Sequence, residues 1–212
     1  MPKEYELQVI DVDKSKMINL LKKNGGKRVH KDIRMYRSIF KRCKSNIEGV
    51  ARVRYEGKKT TMTVKIYKDK KFPEEYEVTI DEDFETGKKF LEALNLKMKS
   101  FQETYREKWT LPIKGVHKIT FDNWPGLPTL MEIDCTTMDS LNKVKNLLNI
   151  DEEKITYGSV ATRYELYYGI PQDIVNRVTN ITFKDLEKYI KPRKNKELFK
   201  KTIQAQRKKY LK

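Results

Sequence analysis

The feature that most restricts what this chain can fold into is a period of two, repeated segment after segment. Polar side chains alternate with apolar ones wherever the chain reads as extended. Residues 4–9 open with it, setting Glu4, Glu6 and Gln8 on one face and Tyr5, Leu7 and Val9 on the other. It returns over 49–80 as three strands, with Arg52 and Arg54, then Thr61, Thr63 and Lys65, then Glu75, Glu77 and Thr79 on the polar side. Segments 99–111, 116–121 and 130–136 carry it on through Gln102, Thr104, Arg106 and Lys108, through Lys118, Thr120 and Asp122, and through Glu132 and Asp134. Residues 29–41 read as a further long strand through Ile33, Met35 and Ile39, which makes eight strands in all.

Between them lie helix signals. Asp13 is placed to cap a helix carrying Met17, Leu20 and Leu21, which Gly25 and Gly26 stop. A second helix is expected over 83–94 with Phe90, Leu91 and Leu94 on its apolar side, and a third is marked by Leu141, Val144, Leu147 and Leu148. Pro73 bars a central strand around 68–73. The prediction is an α+β fold: an eight-stranded antiparallel closed β-barrel, with flanking helices over its apolar outside and the polar faces lining a tunnel. Closure removes the exposed edges that a long open sheet would leave. The tyrosine-rich segment 155–169 is expected to pack across the barrel's side or mouth, with Ser159 and Arg163 placed to close it. Residues 1–170 then form the tunnel domain and 171–212 a helical, basic, peripheral appendage.

A lumen built this way holds seven carboxylates, from Glu4, Glu6, Glu75, Glu77, Asp122, Glu132 and Asp134. Two like charges about 4 Å apart repel by ~4 kcal/mol at an effective dielectric of 20. The acids must share protons or bind a cation, and an oxygen-only donor set favours Mg²⁺ or Mn²⁺ over zinc. Arg52, Arg54, Lys65, Arg106 and Lys108 make the opposite demand, forming a clamp across several strands suited to phosphate oxygens. A metal triphosphate satisfies both.

Taken in order, these residues resemble the CYTH, or triphosphate tunnel, superfamily over about 4–168. The resemblance rests on Glu4-x-Glu6 in the first strand, Arg52 with Arg54, Thr63 with Lys65, Glu75 with Glu77, Arg106, Asp122, and the closing Glu132 with Asp134. Gln8 departs from it, standing where the family usually has lysine. The resemblance implies a metal-dependent hydrolase acting on tripolyphosphate, a nucleoside triphosphate or an RNA 5′-triphosphate end, or else a class IV type adenylyl cyclase. It makes Glu4, Glu6, Glu132, Asp134 and Asp122 metal candidates and gives the arginines and lysines the triphosphate. Glu75 and Glu77 are left to orient water or balance charge. A noncatalytic binder of polyanions or RNA is the remaining reading, and the carboxylates speak against it because they repel an anion unless metal is bound.

Charge distribution adds one partner class. Of the formal net charge of +16, residues 191–212 supply +9, from ten Lys or Arg against Glu197. This tail interleaves Leu198, Phe199, Ile203 and Tyr210 with its cations and reads as a solvated helix or an RNA-contacting one. No run approaches the roughly 18 apolar residues of a membrane span. Cys43 and Cys135 lack metal-type spacing, and residues 1–10 are unlike a secretory leader, so an intracellular (cytoplasmic), reduced protein is expected. His30 and His117 fall on different strands and make no ligand pair, while Trp124 serves either to anchor its turn or to stack on a base.

Overall fold

A computed structural model of the chain describes residues 5–42, 48–68 and 74–211. Eight strands follow the alternating segments: β1 (Tyr5–Val9), β2 (Lys27–Lys41), β3 (Gly49–Tyr55), β4 (Thr60–Ile66), β5 (Glu74–Ile80), β6 (Met98–Thr110), β7 (Val116–Asn123) and β8 (Leu130–Cys135). Two short strands join them, β9 (Ile155–Thr156) and β10 (Asn180–Ile181). The sheet runs β5-β4-β3-β2-β6-β7-β8-β1-β9, antiparallel at every step along that path, while β10 pairs in parallel with β6. The expected closed barrel is not what forms. Among the described residues no ladder joins β5 to β1 or β9, so the sheet is a curled half-barrel. β9 occupies the edge of β1 that closure would require, pairing Gln8 with Thr156 and Val9 with Ile155.

The helices cover the apolar convex face. α1 (Lys14–Lys23) starts where Asp13 accepts from the Lys16 amide at 3.0 Å and ends before Gly25, whose φ of 77° suits glycine. With α3 (Met138–Leu147) it buries Leu21, Leu141 and Val144 against Leu7, Val9, Ile119, Phe121, Met131, Ile133 and Cys135. α2 (Phe84–Ala93), capped by Asp83, sets Phe84 and Leu91 on Phe40, Ala51 and Val53. Its apolar side differs from the expected one: Phe90 is 57% and Leu94 55% exposed. The helix packs down on the line Phe84, Gly87, Leu91, and a Cβ at Gly87 would stand 3.0 Å from the side chains of Ile80 and Val53.

The sequence marks β2 through Ile33, Met35 and Ile39 without assigning those residues a face. Tyr36 and Phe40 turn outward to α2, and the odd-numbered side pairs Arg37 with Arg54 of β3 and Ile39 with Arg52. Apolar residues at both parities left the face unspecified.

A second core gathers the rest of the chain: α4 (Val160–Tyr168), α5 (Gln172–Arg177), α6 (Leu186–Tyr189) and α7 (Lys196–Tyr210). Tyr164 donates to the Pro125 carbonyl at 2.6 Å and Tyr168 to that of Gly126, pinning the turn after β7. Gly126 has a φ of 70°, and a Cβ there would meet Leu186 and Phe199 at 2.8 Å. The tail expected to be peripheral is therefore built in. Phe199 and Ile203 are buried, Gln206 bonds the Gly126 amide and the carbonyls of Trp124 and Leu127, and Tyr210 stacks on Tyr105. No helix among the described residues is long and apolar enough to cross a membrane.

Candidate functional site: an ionic cavity in the concave face

Curling the sheet turns the polar faces of its strands toward one another around a cavity of about 910 Å³. Of the residues singled out from sequence, Glu6, Gln8, Arg52, Arg54, Lys65, Glu75, Glu77, Arg106, Asp122 and Glu132 all line it. Asp134 stands beside it, bonded to the lining residue Lys118 at 2.6 Å. Lys108 does not line it; it lies two residues beyond Arg106 on β6, with Lys118 and Glu56 as its charged neighbours. Glu4 lies outside the described residues, as do Cys43 and Pro73.

The β3–β5 wall is a tight ionic lattice. Arg52 Nη2 donates to Thr63 Oγ1 at 2.9 Å, to Glu75 Oε1 at 3.2 Å and to Glu77 Oε2 at 3.1 Å. Glu77 Oε2 also accepts from Arg54 at 3.1 Å and from the Thr63 hydroxyl at 2.9 Å. Lys65 pairs with Glu75, and Arg54 also pairs with Glu56. This follows from register, since Arg52 faces Thr63 across β3–β4 and Thr63 faces Glu77 across β4–β5. Glu75 and Glu77 are thereby occupied in holding the guanidinium groups at fixed angles.

On the opposite wall Arg106 grips Asp122 in bidentate fashion, Nε to Oδ1 at 2.6 Å and Nη2 to Oδ2 at 2.5 Å, and reaches Glu132 Oε1 at 3.3 Å. Burial disfavours the charge on Arg106; Asp122 and Glu132 outweigh it and push the group's pKa well up. The same contest, with Asp134 foremost among the acids, keeps Lys118 charged. Glu6 is the exception. Burial, reinforced by Glu132, pushes its carboxyl up to about 7.

Sequence reasoning missed Arg37, which is 6% exposed and lies over the Trp124 ring with its Cζ 4.7 Å from the centroid. Its Nη2 donates to Thr104 at 2.6 Å. Burial, then the neighbouring Arg54, Arg52 and Arg106, push its pKa well down. No local signal marked it, because isoleucines and a methionine share its parity; its place opposite Arg54 emerges only from the strand register. Three buried donors here, Nε of Arg37, Arg52 and Arg54, have no hydrogen-bond partner among the described residues.

The remaining side is apolar, made by Trp124, Leu130, Val160, Val175, Val178 and Ile181. Ser159 lines the cavity and caps α4, accepting from the Ala161 amide at 3.2 Å. Arg163, expected beside it at the mouth, is instead fully buried behind Gln8.

For a divalent cation the donor chemistry fits: Glu6, Glu132 and Asp134 offer only oxygen, and the buried Asp134 Oδ1 has no partner among the described residues. Among the described residues, no three acidic, histidine or cysteine side chains already converge tightly enough to ligate an ion. Asp122 is the weakest of the predicted ligands, because Arg106 takes both its oxygens.

No protein-family model matches the chain, and no curated protein matches it in sequence. Solved structures do match. A candidate adenylate cyclase from Vibrio parahaemolyticus superposes with a TM-score of 0.61 at 13% identity, covering 74% of this chain and 95% of that one. A Pyrococcus horikoshii protein gives 0.56 at 22% identity over 77% and 98% of the two chains. A conserved protein of Pyrococcus furiosus gives 0.57 at 18% over 72% and 94%. The chain thus shares its fold with these solved structures, a candidate adenylate cyclase among them.

Proposed function

We propose that this chain is a metal-dependent triphosphatase that holds the triphosphate of tripolyphosphate, a nucleoside triphosphate or an RNA 5′ end in the concave cavity. One observation carries the reading. Arg37, Arg52, Arg54 and Arg106 crowd into a single enclosure with Lys65 and Lys118, and three of the guanidinium groups keep a buried N–H without a partner among the described residues. The carboxylates among them offset part of the repulsion between these like charges, a bound polyanion would offset more, and arginine forks match phosphate oxygens.

The arginines bind and align the phosphate chain, and each non-bridging oxygen drawn into a fork loses part of its repulsion toward an incoming oxygen nucleophile. Glu75 and Glu77 act as charge-balancing struts for Arg52 and Arg54. Engaged as they are by guanidinium and hydroxyl donors, they are poorly placed to take a proton from water. Glu6, Glu132 and Asp134 would hold Mg²⁺ or Mn²⁺, which when bound supplies an activated water and charge neutralisation. The exposed Lys196, Lys200, Lys201 and Lys208 of α7 form the surface an RNA substrate would follow.

A second reading, an adenylyl cyclase, is favoured by two observations: the Vibrio parahaemolyticus neighbour and the apolar wall beside the clamp, which suits a nucleoside. The test is to incubate the protein with Mg²⁺ or Mn²⁺ and tripolyphosphate, ATP or triphosphate-ended RNA, and to identify products. Orthophosphate supports the hydrolase; pyrophosphate with a cyclic nucleotide moves the assignment to the cyclase. Absence of turnover and of binding for all three ends both readings.

A further inference from the structure

Arg163 is a charged side chain with no exposed surface, carried by α4 and held against the first strand. Among the described residues no carboxylate lies within ion-pair distance of it. Instead its Nε and Nη2 both donate to Gln8 Oε1, at 2.9 and 2.5 Å, and Nη1 donates to the Tyr157 carbonyl at 3.0 Å. Burying a guanidinium without an ion pair is unfavourable, so this placement calls for a reason beyond packing.

The reason lies in the amide that it holds. A guanidinium only donates, so the Gln8 oxygen must face Arg163 and the Gln8 NH₂ must face away from it. That direction is the cavity. Gln8 lines it, and its Nε2 stands 3.4 Å from Glu132 Oε2, next to Arg106. One of the two N–H bonds is spent on Glu132, and the amide stands among the residues that line the cavity. The guanidinium behind the amide polarises it, strengthening its donors toward an anion.

We propose that Arg163 is a positioning residue which locks the Gln8 amide as a cavity-facing donor and supplies, from behind, the positive charge of the first strand's contribution to anion binding. Gln8 and Arg163 thus work as one split cation, the amide giving reach and the guanidinium giving charge. The pair also ties the position of α4, whose first turn walls the cavity, to that of β1. Its role toward a phosphate ligand rests on the function proposed above, whereas the locking of the amide does not.

Two measurements separate these parts. The first is the mobility of the Gln8 side-chain amide by ¹⁵N NMR relaxation in the full chain without ligand. The amide is expected to be rigid in the wild type, mobile in Arg163→Met and rigid again in Arg163→Lys, which keeps a charge and a donor. An amide already mobile in the wild type, or as rigid in Arg163→Met as in the wild type, overturns the proposal. If Arg163→Met does not fold, Arg163→Gln is read in its place.

The second is tripolyphosphate binding by calorimetry in EDTA. Arg163→Met and Gln8→Leu should each weaken it about tenfold, and the double variant should be no weaker than either, since both break one chain of contacts. Gln8→Lys combined with Arg163→Met should bind within about threefold of the wild type, because the lysine carries its own charge. Additive losses, or no rescue by the lysine, overturn the split-cation role. A wild type that fails to bind tripolyphosphate instead removes the functional reading and the phosphate role with it, and the locking then stands or falls on the relaxation data.

Discussion

Replacing Asp122 by alanine removes the acid that holds Arg106 in the cavity wall, at a pair where Asp122 is 4% and Arg106 9% exposed. Deleting one member of a buried ion pair costs about 3–5 kcal/mol, since the other charge stays desolvated. Glu132 remains 3.3 Å from Arg106 and offsets part of this, so the low end, about 3 kcal/mol, is the expected loss. For a chain of this size each kcal/mol moves the melting temperature by about 2–4 °C, giving a fall of roughly 6–12 °C. Calorimetric unfolding at pH 7 measures it. Arg106→Met with Asp122→Leu should recover most of the loss, because an apolar pair carries no stranded charge. If Asp122 serves Arg106 and not a metal, Asp122→Ala should also weaken Mn²⁺ binding less than Asp134→Ala does. A loss under about 1 kcal/mol, or Mn²⁺ affinity falling more for Asp122→Ala than for Asp134→Ala, refutes the reasoning.

Three further outcomes follow from the fold. Glu6, at about 7 against 4.5 when unfolded, binds its proton more tightly in the native state, so the stability present below pH 4.5 is lost as pH rises toward 7. Glu6→Gln removes that loss, and its advantage over the wild type in urea unfolding with EDTA should grow by about 3 kcal/mol from pH 4.5 to pH 8; a constant difference contradicts the burial argument. Ile203→Ala should cost about 2–5 kcal/mol in denaturant unfolding, whereas Lys200→Gln stays within about 0.5, and equal effects would return α7 to the periphery. Leu91→Ala should destabilise by a similar 2–5 kcal/mol while Phe90→Ser changes little, a contrast that thermal melts report directly and that reversal would refute.

The strands were legible because a polar residue every second position admits few arrangements other than a sheet with one wet and one oily face. Glu6, Gln8, Arg52, Arg54, Glu75, Glu77, Arg106, Asp122 and Glu132 therefore reached the cavity as expected. Asp13 and Asp83 were legible as caps because a short acidic side chain before a helix answers a local need of the backbone. Residue Arg37 was not, because Ile33, Met35 and Ile39 share its parity while Tyr36 and Phe40 hold the other, and a strand apolar on both sides carries no local sign of its orientation.

What the sequence by itself determined is the set of residues that share a face on each strand, since that depends only on backbone geometry between near neighbours. Only the tertiary structure decided that the curl stops short of closure at β9 and that Arg163 comes to rest behind Gln8, 155 residues earlier in the chain. Those outcomes come from which convex surfaces the helices can cover and where the last third of the chain finds a core. Both are sums over distant contacts that no local pattern records.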